Sequence, residues 1–184
     1  HVLLLMLMGV VILLMVAIVG LFVRMNQLQC EVLAALEPLQ TMRGPQGLEI
    51  GTEAPAFTLP DTTGQMVALG DFAGQKVLLV FSSMKCPACA EVWPHLKTFG
   101  ERVGDVQVVM ISHGTVEENR QLMEDQGFDF PILPILTWDD GVFKDYQVPG
   151  TPFFYVIDGE GVIAKAGFAG TLEQLEALAA DSKE

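Results

Sequence analysis

The sequence predicts an α/β globule with a mixed central sheet flanked by helices, preceded by one N-terminal transmembrane helix. Three observations carry that prediction. Two solid apolar runs of strand length, Lys76–Ser82 and Val106–Ser112, are separated by a helix-period segment, the pattern of a β-α-β unit with parallel strands. Two later runs, Pro152–Ile157 and Gly161–Ala166, are joined by Asp158-Gly159-Glu160-Gly161, a hairpin signal. Ahead of them, Val2–Val23 runs 22 residues without a charge, a Pro, an Asn or a Gln. As a helix rising about 1.5 Å per residue it reaches roughly 33 Å, enough to cross a bilayer core.

That first run is longer than a signal-peptide core and is followed by no A-x-A cleavage pattern, so it is expected to stay as an anchor over residues 1–24. Residues 25–48 form a juxtamembrane helix and linker. Met25, Leu28, Val32, Ala35 and Leu39 recur at alternating three- and four-residue steps until Pro38 intervenes, a short stripe able to lie on lipid, on its own domain or on a partner helix. Cys30 lies off the stripe, and its Leu-Gln-Cys context lacks the small residue that lipidation needs. Thr41–Leu48 is Gly/Pro punctuation and reads as linker.

The globule spans 49–184. Pro55–Leu59 and Met66–Leu69 flank the turn Asp61-Thr62-Thr63-Gly64, a first hairpin. After the strand Lys76–Ser82, a helix is expected over Ala90–Val103, with Val92, Trp93, Leu96 and Phe99 on one side and Pro94 kinking it. The strand Val106–Ser112 leads to a polar-faced helix Val116–Gln126, with Leu122 and Met123 inward and Gly127 as its stop. Phe130–Leu136 is extended but broken by Pro131 and Pro134, and Gly141–Tyr146 is a helical turn. Thr171 caps a last helix reaching about Ala180.

Charge narrows the function. The chain carries 10 basic and 23 acidic side chains. Arg24 and Arg43 cancel Glu31 and Glu37, so the whole net charge of −13 sits on the globule. Such a surface repels phosphate, and no nucleic-acid partner is expected. Three cysteines cannot staple a disulfide scaffold. Arg24 and Arg43 follow the span, which by the positive-inside rule alone would place the globule in the cytoplasm. The chemistry of the motif below points to the opposite side.

The motif that carries chemistry is Cys86-Pro87-Ala88-Cys89, placed after a buried strand and at the first turn of a helix. A thiolate there faces unpaired backbone N–H groups and the positive end of the helix dipole, which lowers its pKa. Cys86 is expected to be the exposed attacking sulfur and Cys89 the resolving one. Lys85 adds a cation, and Pro87 removes an N–H and stiffens the loop. Structural zinc wants four ligands, yet Cys30 is remote and the histidines are scattered. A c-type haem site wants His after the second Cys, where Ala90 stands. A peroxidatic Cys wants Pro seven residues upstream, where Leu79 stands, although Ser83 fits the hydroxyl position. A second element is Gly150-Thr151-Pro152 entering the strand Phe153–Ile157. A cis Thr151–Pro152 bond would aim that loop at the motif and free backbone groups for an extended peptide.

In order, Gly51–Leu59, Lys76–Phe81, the CPAC, Pro94, Phe130–Leu133, Tyr146–Pro152 and Val156–Ile163 resemble the thioredoxin fold, and within it the membrane-anchored family of TlpA and ResA. The anchor, the juxtamembrane helix and the Gly-Pro linker are most similar to the MauD family, accessory factors in methylamine dehydrogenase maturation. The resemblance implies a periplasmic or exterior domain on the inner membrane that reduces or isomerises disulfides of partner proteins. It implies Cys86 as nucleophile, Cys89 as resolving thiol, Thr151 and Pro152 at the substrate, and no cofactor beyond a redox-active Cys86–Cys89 disulfide. The sequence departs from the family twice: Lys85 stands where Trp is frequent, and Lys76–Leu79 offers no buried acid to take the proton of the second thiol. A rival expectation is a non-catalytic subunit of a larger membrane complex, bound through the anchor and residues 25–39.

Overall fold

The computed structural model describes residues 47–138 and 141–180, together with Met8 and Met15. The chain divides into two compact units, His1–Gly44 and Pro45–Glu184, and the second holds the sheet and the site. The expected span (Met8 and Met15 apart), the 25–39 stripe and Cys30 lie outside the described residues. Among the described residues no helix is long and apolar enough to cross a membrane.

The elements follow one another as β1 Thr58–Pro60, β2 Met66–Ala68, a 3-10 turn Leu69–Phe72, β3 Lys76–Ser83, α1 Pro87–Arg102, β4 Val106–His113, α2 Val116–Gln126, β5 Ile132–Ile135, α3 Gly141–Asp145, β6 Phe153–Ile157, β7 Ile163–Gly167 and α4 Leu172–Ala179. The five-stranded sheet has the order β5-β4-β3-β6-β7. β4 is parallel to β3 and to β5, whereas β6 is antiparallel to β3 and β7. The α/β fold with a mixed sheet is therefore as expected, and the first hairpin forms a separate two-stranded sheet.

β3 is central because its side chains can be buried on both faces. Val77, Leu79 and Phe81 join a core with Phe143, Tyr146, Phe153 and Tyr155. Leu78 and Val80 pack against Val92, Leu96 and Phe99 of α1. The period of two along a strand puts Ser82 on that second face, beneath α1. Pro134 is tolerated in β5 because that strand is an edge. The other edge, β7, is covered by the chain at Gly51–Glu53, where Gly51 N–H donates to Ile163 C=O at 2.8 Å and Glu53 bridges Val162. Nothing in the local pattern of residues 51–53 announces this pairing.

Helix ends follow their caps. Thr115 and Glu118 close a capping box on α2, and Gly127 ends it at φ 61. Thr171 caps α4 as expected. α1 begins at Pro87, three residues before the expected Ala90, because Cys86 itself caps it and Pro is at home in the first turn.

A pair of tyrosines ties the entering chain to the sheet. The Tyr155 hydroxyl accepts from Leu48 N–H at 2.9 Å and donates to Tyr146 C=O, and the Tyr146 hydroxyl donates to Pro55 C=O at 2.7 Å. Both rings are fully buried. Tyr155→Phe leaves Leu48 N–H and Tyr146 C=O without these partners, so it should cost about 1–3 kcal/mol. Urea denaturation is expected to show a lower midpoint at unchanged slope; an unchanged midpoint would mean that water replaces the hydroxyl at no cost.

Candidate functional site

β3 ends at Ser83, and the chain turns directly into α1. Cys86 N–H donates to Ser83 C=O at 3.1 Å, which closes the turn. The Cys86 backbone is extended, with φ −98 and ψ 112, and its Sγ accepts from Cys89 N–H at 3.3 Å. A sulfur thus fills the position that Ser, Thr, Asp or Asn fills in most helices. Cys86 is half-buried, while Cys89, one turn on, is fully buried. Both are free thiols.

The Thr151–Pro152 corner meets this turn from 65 residues away. The Thr151–Pro152 bond is cis, and the Cys86 thiol donates to Thr151 C=O at 3.2 Å. Pro152 is buried and Thr151 half-buried beside the sulfur. The structure therefore brings together Cys86, Cys89, Thr151 and Pro152. Lys85 and Pro87 flank the sulfur and are exposed.

The two thiols are pushed in opposite directions. Burial raises the Cys86 pKa, but hydrogen bonds from Cys89, from the Thr151 side chain and from the backbone N–H groups of Cys89 and Ala88 outweigh it and hold Cys86 below the ordinary thiol value. Burial raises Cys89, and its hydrogen bond with Cys86 raises it further; contacts with Thr151, Ser83 and Ser82 offset only part of this. In the reduced protein the charge belongs on Cys86. Lys85 was expected to lower Cys86, yet hydrogen bonds lead there, and the Lys85 charge helps to hold the Glu118 carboxyl low, after that group's two hydrogen bonds with Thr115.

Sequence reasoning missed three features of the surroundings. Ser82 Oγ, nearly fully buried, accepts from Trp93 Nε1–H at 3.2 Å. Two consecutive serines closing a strand that is otherwise apolar, just ahead of the CPAC, were the available signal. A cavity of about 180 Å³ beside the turn is lined by Met84, Lys85, His113, Thr115, Glu118 and Leu136. His113 stacks on Trp138 with ring centroids 4.8 Å apart. Among the described residues no group of three or more His, Cys, Asp or Glu converges to hold a metal ion.

The alkylation of Cys86 should follow this asymmetry. Because a lowered pKa populates the thiolate at lower pH, the iodoacetamide rate at Cys86 is expected to rise through a midpoint below that of a free cysteine peptide. Peptide mapping at neutral pH should find the label on Cys86 and not on Cys89. Equal labelling of the two would contradict the asymmetry.

Comparison with known proteins is consistent with this geometry. Residues 50–166 match the model of the AhpC/TSA family. The chain is 34% identical over 143 residues to the methylamine utilization protein MauD of Paracoccus denitrificans, covering 77% of this chain and 70% of that protein. It is 27% identical over 135 residues to the thiol-disulfide oxidoreductase ResA of Bacillus subtilis, covering 71% and 73%. The solution structure of a thiol:disulfide interchange protein from Bacteroides sp. superposes with a TM-score of 0.64 at 26% identity, covering 74% of this chain and 94% of that one.

Proposed function

Since the chain belongs to the AhpC/TSA family, in its thioredoxin-like branch of MauD- and ResA-type thiol-disulfide oxidoreductases, we propose that it is a membrane-tethered oxidoreductase that reduces or isomerises disulfides of extracytoplasmic partner proteins during their maturation. The observation that carries this reading is the Cys86 sulfur, half-exposed at a helix cap with Cys89 buried behind it and Thr151 C=O 3.2 Å away.

The chemistry follows from that arrangement. The Cys86 thiolate attacks one sulfur of the partner's disulfide, and the other partner sulfur leaves as a thiolate. The Cys89 sulfur then attacks Cys86 Sγ, closes the Cys86–Cys89 disulfide and frees the partner's second sulfur, which takes up the proton that Cys89 gave up. The two electrons come from the dithiol, so the pair itself is the redox group and no further cofactor is required. Thr151 and Pro152 stand where an extended segment of the partner would lie against the sulfur. Lys85 and Pro87, exposed on either side of Cys86, shape the charge and stiffness of the approach.

The uncharged run Val2–Val23 supports tethering as a single-pass anchor, and the persistence of disulfides in oxidising compartments supports a globule on the periplasmic or exterior side. The similarity to a protein named as a thiol-disulfide oxidoreductase supports a disulfide as the group acted on.

Two variants test the reading. Cys86→Ala should reduce insulin-disulfide turnover to the uncatalysed background, and retention of turnover would remove Cys86 from the mechanism. Cys89→Ser should hold partners as mixed disulfides on Cys86, seen as bands that dithiothreitol dissolves, and mass spectrometry of those bands names the substrate. Wild-type protein that co-purifies stoichiometrically with a membrane complex and shows no turnover would instead favour the scaffold role.

A further inference from the structure

The second step of this reaction has to take a proton from a fully buried thiol, and Lys76–Leu79 supplies no acid beneath it. The neighbourhood of Cys89 shows what stands there. Cys89 and Trp93 are four residues apart on α1, so they share one face of the helix. Trp93 donates its Nε1–H to Ser82 Oγ at 3.2 Å, and Ser82 lies on the face of β3 that packs under α1. The hydroxyl is therefore clamped under the helix turn that carries Cys89. Trp93 occupies an acceptor position of Ser82 Oγ and leaves its own hydrogen free to be donated.

That hydrogen is not taken up by the neighbouring serine. Ser112 is the register partner of Ser82 on the parallel neighbour β4 and faces the same side of the sheet. Its Oγ is fully buried and has no hydrogen-bond partner, an arrangement that costs free energy unless a donor reaches it. The acceptor left for the Ser82 hydrogen is Cys89 itself.

Resting on the dithiol reading above, we propose that Ser82 is a further catalytic residue, the hydroxyl that donates a hydrogen bond to the Cys89 thiolate as it closes on Cys86, and that Trp93 is the residue that positions it. While Cys89 is a neutral thiol, the Ser82 hydroxyl is held in place by the Trp93 indole N–H. As Cys89 loses its proton, Ser82 donates its hydrogen to Cys89 Sγ, because a charge-assisted bond is stronger. The Cys86–partner S–S bond breaks, the Cys86–Cys89 bond forms, and the proton leaves on the departing partner sulfur. The Ser82 contact works to lower the Cys89 pKa, in agreement with the geometry. Of the groups that face Cys89, namely Cys86 from the start of α1, Ser82 and Ser83 from β3, and Thr151 from the corner, Cys86 alone titrates. Lys85, His113 and Glu118 line the adjoining cavity.

The test uses dithiobis(nitrobenzoate) on the reduced full-length chain, because each step then frees one coloured thiolate without any partner protein. Attack by Cys86 gives a first phase, and closure by Cys89 gives the second. In Ser82→Ala the second phase should slow about tenfold relative to the first, the loss of one hydrogen bond to a charged group, and its pH profile should move to higher pH. Ser82→Thr should restore the ratio, and Trp93→Phe should lower it with the hydroxyl still present. A ratio and profile in Ser82→Ala equal to wild type would overturn the proposal. So would a Ser82→Ala defect that Ser82→Thr fails to rescue while Trp93→Phe behaves as wild type. A wild-type trace with no second phase would overturn the dithiol reading instead.

Discussion

A sulfur capping a helix is the interaction on which the rest of this site depends. The Cys89 N–H points at Cys86 Sγ over 3.3 Å, and the first turn of α1 adds the positive end of its dipole. A neutral side-chain cap stabilises a helix by about 1 kcal/mol. A charge at the same place adds roughly 0.3–1 kcal/mol, and up to about 2 kcal/mol when partly buried. The same contacts that start the helix therefore favour the thiolate. Folding of α1 and activation of Cys86 are one event.

The second sulfur is the counterpart of the first. One turn separates them, but the helix axis carries Cys89 inward, onto the face where Leu78 and Val80 meet Val92 and Leu96. Burial there disfavours a charge, so the pair is split into an anion at the rim and a protonated thiol in the core. An asymmetric pair of this kind gives a defined order of attack and release, which two equally exposed thiols would lack. The polar residues that end the central strands, Ser82, Ser83 and Ser112, all buried, replace apolar packing directly under the site. They make the end of the sheet chemically different from its middle.

The sheet's topology explains why the site lies where it does. β3 and β4 run parallel and β6 antiparallel to β3, so the end of β3 and the beginning of β6 fall side by side. Phe81 pairs with Phe153 in that register. The CPAC turn follows the one and the Thr151–Pro152 corner precedes the other, and the two loops must meet. The aromatic group Phe81, Phe143, Tyr146 and Tyr155, with ring centroids 4.9–5.9 Å from Phe81, holds this end of the sheet from the face opposite α1.

Much of this was determined by the sequence alone. Apolar runs of period two and helical stripes are local properties, so β3, β4, α2 and α4 lay within a residue or two of their expected bounds, and Cys86-Pro87-Ala88-Cys89 marked the site. The start of α1 was misplaced because a cysteine is not read as a cap, although its sulfur accepts a hydrogen bond as a hydroxyl oxygen does. Only the tertiary structure decided that Thr151 C=O touches Cys86, that residues 51–53 cover β7, and that Ser82 lies clamped by Trp93 under Cys89. Those are outcomes of packing between elements far apart in the chain. A side chain's burial and hydrogen-bond partner depend on what the other elements place against it, and neighbouring letters do not encode that.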